Sequence, residues 1–334
     1  MNAGTDLKVD TNAIEKGLAS LWRTDKSDEA ITRAALWNVV AHTWTGEQQA
    51  QASDALARAS ESVPSRSIVV RSNPSGRASL SSWVSANCHL VGKNQQVCSE
   101  EVVIVADGNR VHHVAPLVSA LLLPDMPVAV WWLGDLPSEN ETYVAPLLDP
   151  ADRLIVDSRE FNAPDDLALV GRIAEETTTA PADLNWVRLE EWRAATASLF
   201  DPAPMRERLR DLRHVKIVSG RGSFEFGSSA EGLLYVAWLK VQGDIEVAFE
   251  LDCARSKPGI ELIELRFADG TTATLTRDRE RGVVIGGGDA HVLDCITRLQ
   301  SRGLHDLIVR QLKRPEIDRV YVKSLRVARE LADR

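Results

Sequence analysis

The sequence predicts an α/β chain in two domains, with α+β character in its C-terminal part. Three observations carry this. Between residues 63 and 180, β-branched runs alternate with helical patterns, as in layered sheets flanked by helices. The run "PVAVWWLGD" is apolar on both faces, which marks a central strand covered on each side. Beyond residue 181, helical patterns bracket three or four consecutive strand patterns, which reads as a second sheet-plus-helices domain. The expected division is a helical N-terminal segment (1–62), an α/β domain with a mixed sheet (63–180) and a C-terminal α/β domain (181–334).

Residues 12–62 read as helical. Ile14, Leu18, Leu21 and Trp22 share a helical spacing, as do Ile31, Ala35, Val39 and Val40, with Ser27 or Asp28 as an N-cap. Pro64 ends this stretch. "RSIVVRS" (66–72) is a β-branched strand pattern. The runs 80–91 and 95–106 flank a Gly-containing loop and read as a hairpin. Asp107 starts a helix that runs to Pro124, with Pro116 placed to kink it. Then come the strand at "PVAVWWLGD", a short helix at "NETYVAPLL", a strand at 153–158 and a helix at 163–177. "TTTAPAD" (177–183) is the expected linker. In the second domain, Leu189, Trp192, Ala195 and Leu199 share a helical face. A short helix (204–212) and the strand "HVKIVSG" follow. "AEGLLYVAWLKVQG" reads as an amphipathic helix with Gly243 as its left-handed cap. The strands after it include a hairpin at "ADGTT". Two helices close the chain. In the last, Ile317, Val320, Leu325, Ala328 and Leu331 form one face.

Composition narrows the function classes. The chain has 334 residues, 44% hydrophobic and 26% charged, with a net charge of −9. That balance argues against a general nucleic-acid or anionic-membrane binder. Residues 298–334 run the other way, with ten Lys/Arg against five Asp/Glu. A solvated helix face is the ordinary reading, and a docking surface for an acidic partner is the sharper one. The N-terminus lacks the apolar core of a secretory signal, and the longest apolar stretches are too short to span a bilayer. Four cysteines fit a reducing compartment. The expectation is a cytoplasmic protein.

Candidate chemistry is sparse. Cys88 and Cys98 flank the hairpin loop, and their placement permits a bridge. Two small buried thiols is the expected state. Cys253 and Cys295 have no near partner, and no CxxC or CxxH spacing suggests zinc. His112 and His113 are adjacent on a helical stretch and face different ways, so shared metal ligation is disfavoured. No GxSxG elbow and no HExxH motif occur. "SGRGSFEFG" (219–227) offers Gly220, Arg221 and Gly222 for an anion, but its spacing is not GxGxxG and no Walker lysine follows. "IGGGD" (285–289), with Gly286–Gly288, reads first as a flexible turn and second as an anion loop. Asp165/Asp166 and Glu190/Glu191 sit near helix starts, where carboxylates suit the dipole. No reaction centre emerges, and neither a cofactor nor a metal is implied.

Residues 85–137 contain a hairpin, a helix, a Pro-Asp-x-Pro turn and a strand ending Trp-Trp-x-Gly. This block resembles the OpcA family, the glucose-6-phosphate dehydrogenase assembly proteins. "DLNWVRLEEWRAATASLFDP" and "LLYVAWLKVQG" resemble later segments of the same family, in the same order. The resemblance covers roughly residues 30–330. It implies an accessory protein without catalysis of its own, whose partner is glucose-6-phosphate dehydrogenase and whose role is assembly or allosteric activation. Redox control, linked to cysteines in cyanobacterial members, finds no matching C-terminal cysteine pair here. Candidate partner-binding residues are Trp131, Trp132, Gly134 and Asp135 at the end of the central strand. Arg310, Lys313, Arg314 and Lys323 on the basic terminal helices join them. The ordinary reading buries both Trp rings under helices, and the sharper one leaves one ring in the core and the other in a crevice or interface. The alternative is a phosphorylated-metabolite or nucleotide site at the 219–227 and 285–289 loops.

Overall fold

In the computed structural model of the chain, the described residues are 10–21, 30–91, 95–137, 145–162, 164–220, 229–255, 258–290, 295–314 and 316–332. They form two compact units, each built from non-contiguous segments. Unit 1 holds residues 1–156, 178–182 and 302–317, and unit 2 holds 157–177, 183–301 and 318–334.

Unit 1 opens with α1 (Thr11–Leu21), β1 (Ala30–Arg33), β2 (Trp37–Thr43) and α2 (Gly46–Ala59). The expectation of helix throughout 12–62 is therefore corrected. Val39 and Val40 share a helical spacing with Ile31 and Ala35, but with Ala41 they are fully buried in a strand with sheet neighbours on both sides. Burial on both faces overrides a short periodicity. Then come β3 (Ser65–Asn73), β4 (Ser79–Val91), β5 (Gln95–Asp107), α3 (Val114–Leu121), β6 (Val128–Trp132) and β7 (Arg153–Val156). The predicted hairpin is β4–β5, paired from Ser79↔Asp107 to Val91↔Gln95. Pro116 lies in the first turn of α3, where a missing N–H costs little. Of "NETYVAPLL", only Ala145–Leu147 is described as helical, a single 3₁₀ turn.

The sheet runs β5-β3-β2-β6-β7-β8, with β4 outside β5 and β1 (parallel to β5) continuing the β3 side. β8 (Ala180–Asp183) follows α4 (Pro164–Glu176) in sequence and is buried, so the expected linker at 177–183 is a strand. Thr179 and Ala180 tie this segment to the backbone carbonyls of Ala151 and Asp152. From β5 the order reads 3-2-1-4-5-6, the doubly wound order, with its switch point between β2 and β6. Right-handed crossovers then put α2 and α3 on opposite faces. Trp131 and Trp132 alternate across the pleat, so both faces must be covered, and both rings are buried. The Pro-Asp-x-Pro turn has its own anchor. Fully buried Asn38 donates to the carbonyls of Leu123 and Met126 and accepts from Leu123 N–H. Asp125 takes a left-handed φ of 64° there.

Unit 2 contains α4, then α5 (Leu184–Arg188), α6 (Glu190–Phe200), α7 (Ala203–Arg208), β9 (Leu212–Gly220) and α8 (Ala230–Gly243). The strands β10 (Ala248–Arg255), β11 (Ile260–Phe267), β12 (Thr272–Asp278), β13 (Val283–Gly288) and β14 (Cys295–Arg298) follow. Helix α9 (Leu304–Leu312) belongs to unit 1 and α10 (Arg319–Ala332) to unit 2. The second sheet runs β10-β9-β11-β12-β13-β14, with β10 parallel to β9 and the others antiparallel.

Three local expectations change here. Helix α8 is buried along most of its length rather than amphipathic, and its left-handed cap is Asp244, not Gly243. In α10 the buried positions are Tyr321, Ser324, Leu325, Ala328 and Leu331, while Ile317 lies before the helix and is 49% exposed. Gly286–Gly288 lie within β13, so their backbones are taken by ladders rather than by a turn or an anion. At Gly286 a Cβ would stand 2.9 Å from Leu199 and closer still to the Cys295 sulfur, which is why no larger residue fits the ladder there.

Candidate functional site

Doubly wound sheets place their crevice at the C-terminal ends of the strands flanking the switch point. In unit 1 these ends carry His42, Thr43 and Trp44 on β2, and Trp131–Asp135 on β6. His42 and Trp132 are register partners, so their side chains share a face. The rings stack with centroids 4.1 Å apart and planes at 22°, and Trp44 meets His42 edge-on at 4.6 Å. The carbonyl of Asp135 accepts from the indole N–H of Trp132 at 2.7 Å and from that of Trp44 at 3.3 Å. The chain thus fills the crevice with its own aromatic side chains.

The first β–α turn differs correspondingly from a phosphate-binding turn. That turn needs glycines so that backbone can approach a pyrophosphate at the helix N-terminus. Here it reads Trp44-Thr45-Gly46-Glu47-Gln48. Thr45 Oγ1 accepts from Gln48 N–H, and Gln48 Oε1 accepts from the N–H groups of Thr45 and Trp44. This is a capping box, and Glu47 adds a carboxylate to the first turn. The positive helix end already serves side chains of the same turn. Gly134 closes the other wall with φ 79°, and a Cβ there would stand 2.9 Å from Gln48 Nε2. Only glycine suits that position.

His42 is fully buried, and neither ring nitrogen has a hydrogen-bond partner. Burial lowers its pKa from 6.5 to about 3, so the ring is neutral at physiological pH and cannot serve as a proton carrier there.

Unit 2 has a buried polar cluster of a different kind. Arg188 binds Asp157 bidentately, with both contacts at 2.7 Å. Asp183 is fully buried and caps α5. It accepts from Asn185 N–H at 2.8 Å, Ser158 N–H at 3.1 Å and the Tyr321 hydroxyl at 3.3 Å. Burial, followed by the nearby Asp157 charge, pushes its pKa from 3.8 up to about 6. Its contacts hold a strand end, a helix start and α10 in place, and so account for its burial structurally. Among the described residues no group of three His, Cys, Asp or Glu is placed to hold a metal ion.

The sequence-derived candidates separate as follows. Trp131 and Trp132 are 1% and 0% exposed, so the ordinary reading, both rings buried, holds, and neither ring is left for a partner. Both pleat faces are packed. Asp135 is exposed and Gly134 half-buried. Arg310, Lys313 and Arg314 lie in unit 1 and Lys323 in unit 2, so the basic helices form no single element. Gly220 is buried at the end of β9 and donates to Gly259 O, while Arg221 and Gly222 lie outside the described residues. Cys88 and Cys98 are bonded as a disulfide, not held as two thiols. They are direct cross-strand partners in the hairpin, with Cys88 exposed and Cys98 buried. What the sequence reading missed is the first β–α turn. Its signal, Thr-x-x-Gln before a helical run, lay inside a stretch read as continuous helix.

Comparison with known proteins matches two consecutive stretches of the chain. Residues 56–172 match the family described as glucose-6-phosphate dehydrogenase subunit N-terminal domain, and residues 179–325 match its C-terminal domain. The chain belongs to the OpcA family. A relative in Synechocystis sp., named "Putative OxPP cycle protein OpcA", is 26% identical over 80% of this chain and 63% of its own length. An OpcA of Synechococcus elongatus is 31% identical over 49% of this chain and 36% of its own length. This chain therefore spans roughly one to two thirds of the OpcA proteins it matches. Among solved structures, an oxidoreductase from Sinorhizobium meliloti covers 89% of this chain and 96% of its own at 10% identity, with a TM-score of 0.49. A biliverdin reductase from Synechocystis covers 89% and 98% at 8% identity, with a TM-score of 0.45. No helix among the described residues is long and apolar enough to cross a membrane.

Proposed function

We propose that this OpcA-family chain is a non-catalytic assembly factor and allosteric activator of glucose-6-phosphate dehydrogenase. The observation that carries the reading is the family match over both halves of the chain. The switch-point crevice supports it. Where a doubly wound enzyme would admit a dinucleotide, this chain places stacked His42 and Trp132, the Trp44 ring and a self-satisfied helix cap. An activator needs no reaction centre. It needs a surface that binds one state of its target better than another. Candidate docking residues are exposed Asp135 beside Gly134, and the basic residues Arg310, Lys313, Arg314 and Lys323. Buried Trp131 and Trp132 would act by holding the Gly134–Asp135 turn in place.

The test is to follow NADPH formation by glucose-6-phosphate dehydrogenase from the same source, with and without this protein, across substrate concentrations. A lowered apparent KM or a raised rate, with no turnover by this protein alone, is expected. No kinetic effect and no co-elution would end the reading.

A further inference from the structure

Each of the chain's three entries into unit 2 begins with an aspartate: Asp157 after β7, Asp183 at the end of β8 and Asp318 before α10. One hydrogen-bond network joins all three, and every member of it belongs to unit 2. Asp157 holds Arg188 of α5 and accepts from Arg159 N–H at 3.2 Å, which starts the 3₁₀ turn Ser158–Glu160. Asp183 accepts from Ser158 on that turn, through both N–H and hydroxyl, from Asn185 N–H in α5 and from the Tyr321 hydroxyl in α10. Ser158 Oγ in turn accepts from the Asn185 amide at 3.0 Å. Asp318 accepts from Val320 and Tyr321 N–H at 3.0 and 2.9 Å, which starts α10, and from the Trp186 indole of α5 at 2.9 Å. The Trp186 and Tyr321 rings lie 5.2 Å apart between centroids.

We infer that this network is a conformational latch, which fastens the three entries into unit 2 together, lets them open together, and is closed by a proton on Asp183. Element starts are where local opening begins, because their first N–H groups lack partners within the element. Here those partners are shared. Asp183 and Tyr321 lie 138 residues apart in sequence, so the loss of one bond frees segments from distant parts of the chain. Asp183 is the member with no exposure at all, and its donors named above are neutral, so its ionised form is the costly one. The charged and titratable groups around it are Asp157 and Arg188 from the turn and α5, and Asp318 and Tyr321 from α10. Beyond them, Glu231 of α8 acts on Arg188 and pairs with Arg159, and Arg193 of α6 stacks over Trp186 at 3.7 Å. A proton on Asp183 removes its repulsion with Asp157, and its loss restores that repulsion beneath all three entries. The latch thus gives the chain two states, between which a bound partner can select.

Amide hydrogen exchange of the full chain, read by mass spectrometry between pH 5 and 7.5 and corrected for the intrinsic rate at each pH, tests this. Segments 157–160, 183–188 and 318–324 should show protection within about threefold of one another. All three should lose about tenfold in protection as pH rises, the ratio for a carboxyl that titrates at about 6 when closed and 3.8 when open. Strands β11 and β12 of the same unit should keep theirs. Asp183→Asn should remove the pH trend from all three segments at once. Tyr321→Phe keeps the ring against Trp186 and removes the hydroxyl. It should raise exchange in 318–324 severalfold and leave 157–160 at the parent's rate. Unrelated protection in the three parent segments overturns the latch, and so does a pH trend that survives in Asp183→Asn. Should that variant not fold, the parent decides alone, since opening that is independent of pH or differs from segment to segment refutes the inference. The measurements use the free chain, so they stand whether or not the dehydrogenase is activated.

Discussion

Replacing His42 should remove an acid-sensitive element from unit 1, and the size of the effect follows from its surroundings. The ring is buried against Trp132 and Trp44, with both nitrogens unpartnered. Its pKa is about 3 in the fold against 6.5 when exposed. Below pH 6.5 the unfolded chain takes up a proton that the native ring refuses until about pH 3. The neutral ring's contribution is thus fully present above pH 6.5 and is lost as pH falls through that window. The limiting difference is about 5 kcal/mol, at ~1.4 kcal/mol per pH unit. At pH 5 the same linkage gives about 2 kcal/mol. The comparison is urea unfolding of the parent and of His42→Phe, read by tryptophan fluorescence at pH 8 and pH 5. Phe keeps the stack on Trp132 and carries no titrating atom. Any packing cost of the larger ring is common to both pH values and cancels. The parent should lose about 2 kcal/mol more than the variant on acidification. Equal losses would refute the assignment, because they require a ring that is solvated or hydrogen-bonded. His42→Leu serves as the second variant should Phe overfill the site.

Other outcomes follow from the same geometry. Asp183 works in the opposite direction. Its raised pKa of about 6 means its contribution is complete below pH 3.8 and lost as pH rises through 6. Asp183→Asn, which keeps the cap acceptor, should flatten stability between pH 4 and 6 in the same urea assay. Gly134→Ala forces a side chain onto φ 79° and into Gln48, and should lower stability by roughly 1–3 kcal/mol in a thermal melt. Alkylation of the unfolded, unreduced chain should label Cys253 and Cys295 only, with Cys88 and Cys98 becoming reactive after a dithiol reductant. Mass spectrometry counts the labels.

The parts of the fold legible in the sequence are those where one local signal agrees with burial. The β4–β5 hairpin, the central β6 and the β11–β12 turn at Gly270 each combine strand residues with a turn signal. The N-terminal 62 residues misled because Val39, Val40 and Ala41 are too few to distinguish a strand buried on both faces from a helix segment. "TTTAPAD" carries linker composition, yet its strand is held by backbone bonds to Ala151 and Asp152, which composition does not encode. At the candidate site, the Trp131–Asp135 block was readable as a crevice position. Its filling was not. The stack of His42 on Trp132 depends on the β2–β6 register, which only the tertiary fold supplies. The disulfide likewise turned on register, since an offset of one residue would have pointed the two sulfurs to opposite faces.

The chain passes between the two units five times, and this governs its biosynthesis. Unit 1 receives β8 only after α4 has been made, and α9 only after the whole second sheet. At roughly 5–20 residues per second, about 150 residues separate the end of β7 from the start of α9, so on the order of 10–30 s pass before unit 1 holds all its parts. A ribosome paused within the second sheet therefore presents a first sheet whose α2 still lacks α9, the helix that packs on it. Folding on the ribosome cannot finish one half and then begin the other. The nascent chain must keep an incomplete first unit soluble until its last helix emerges.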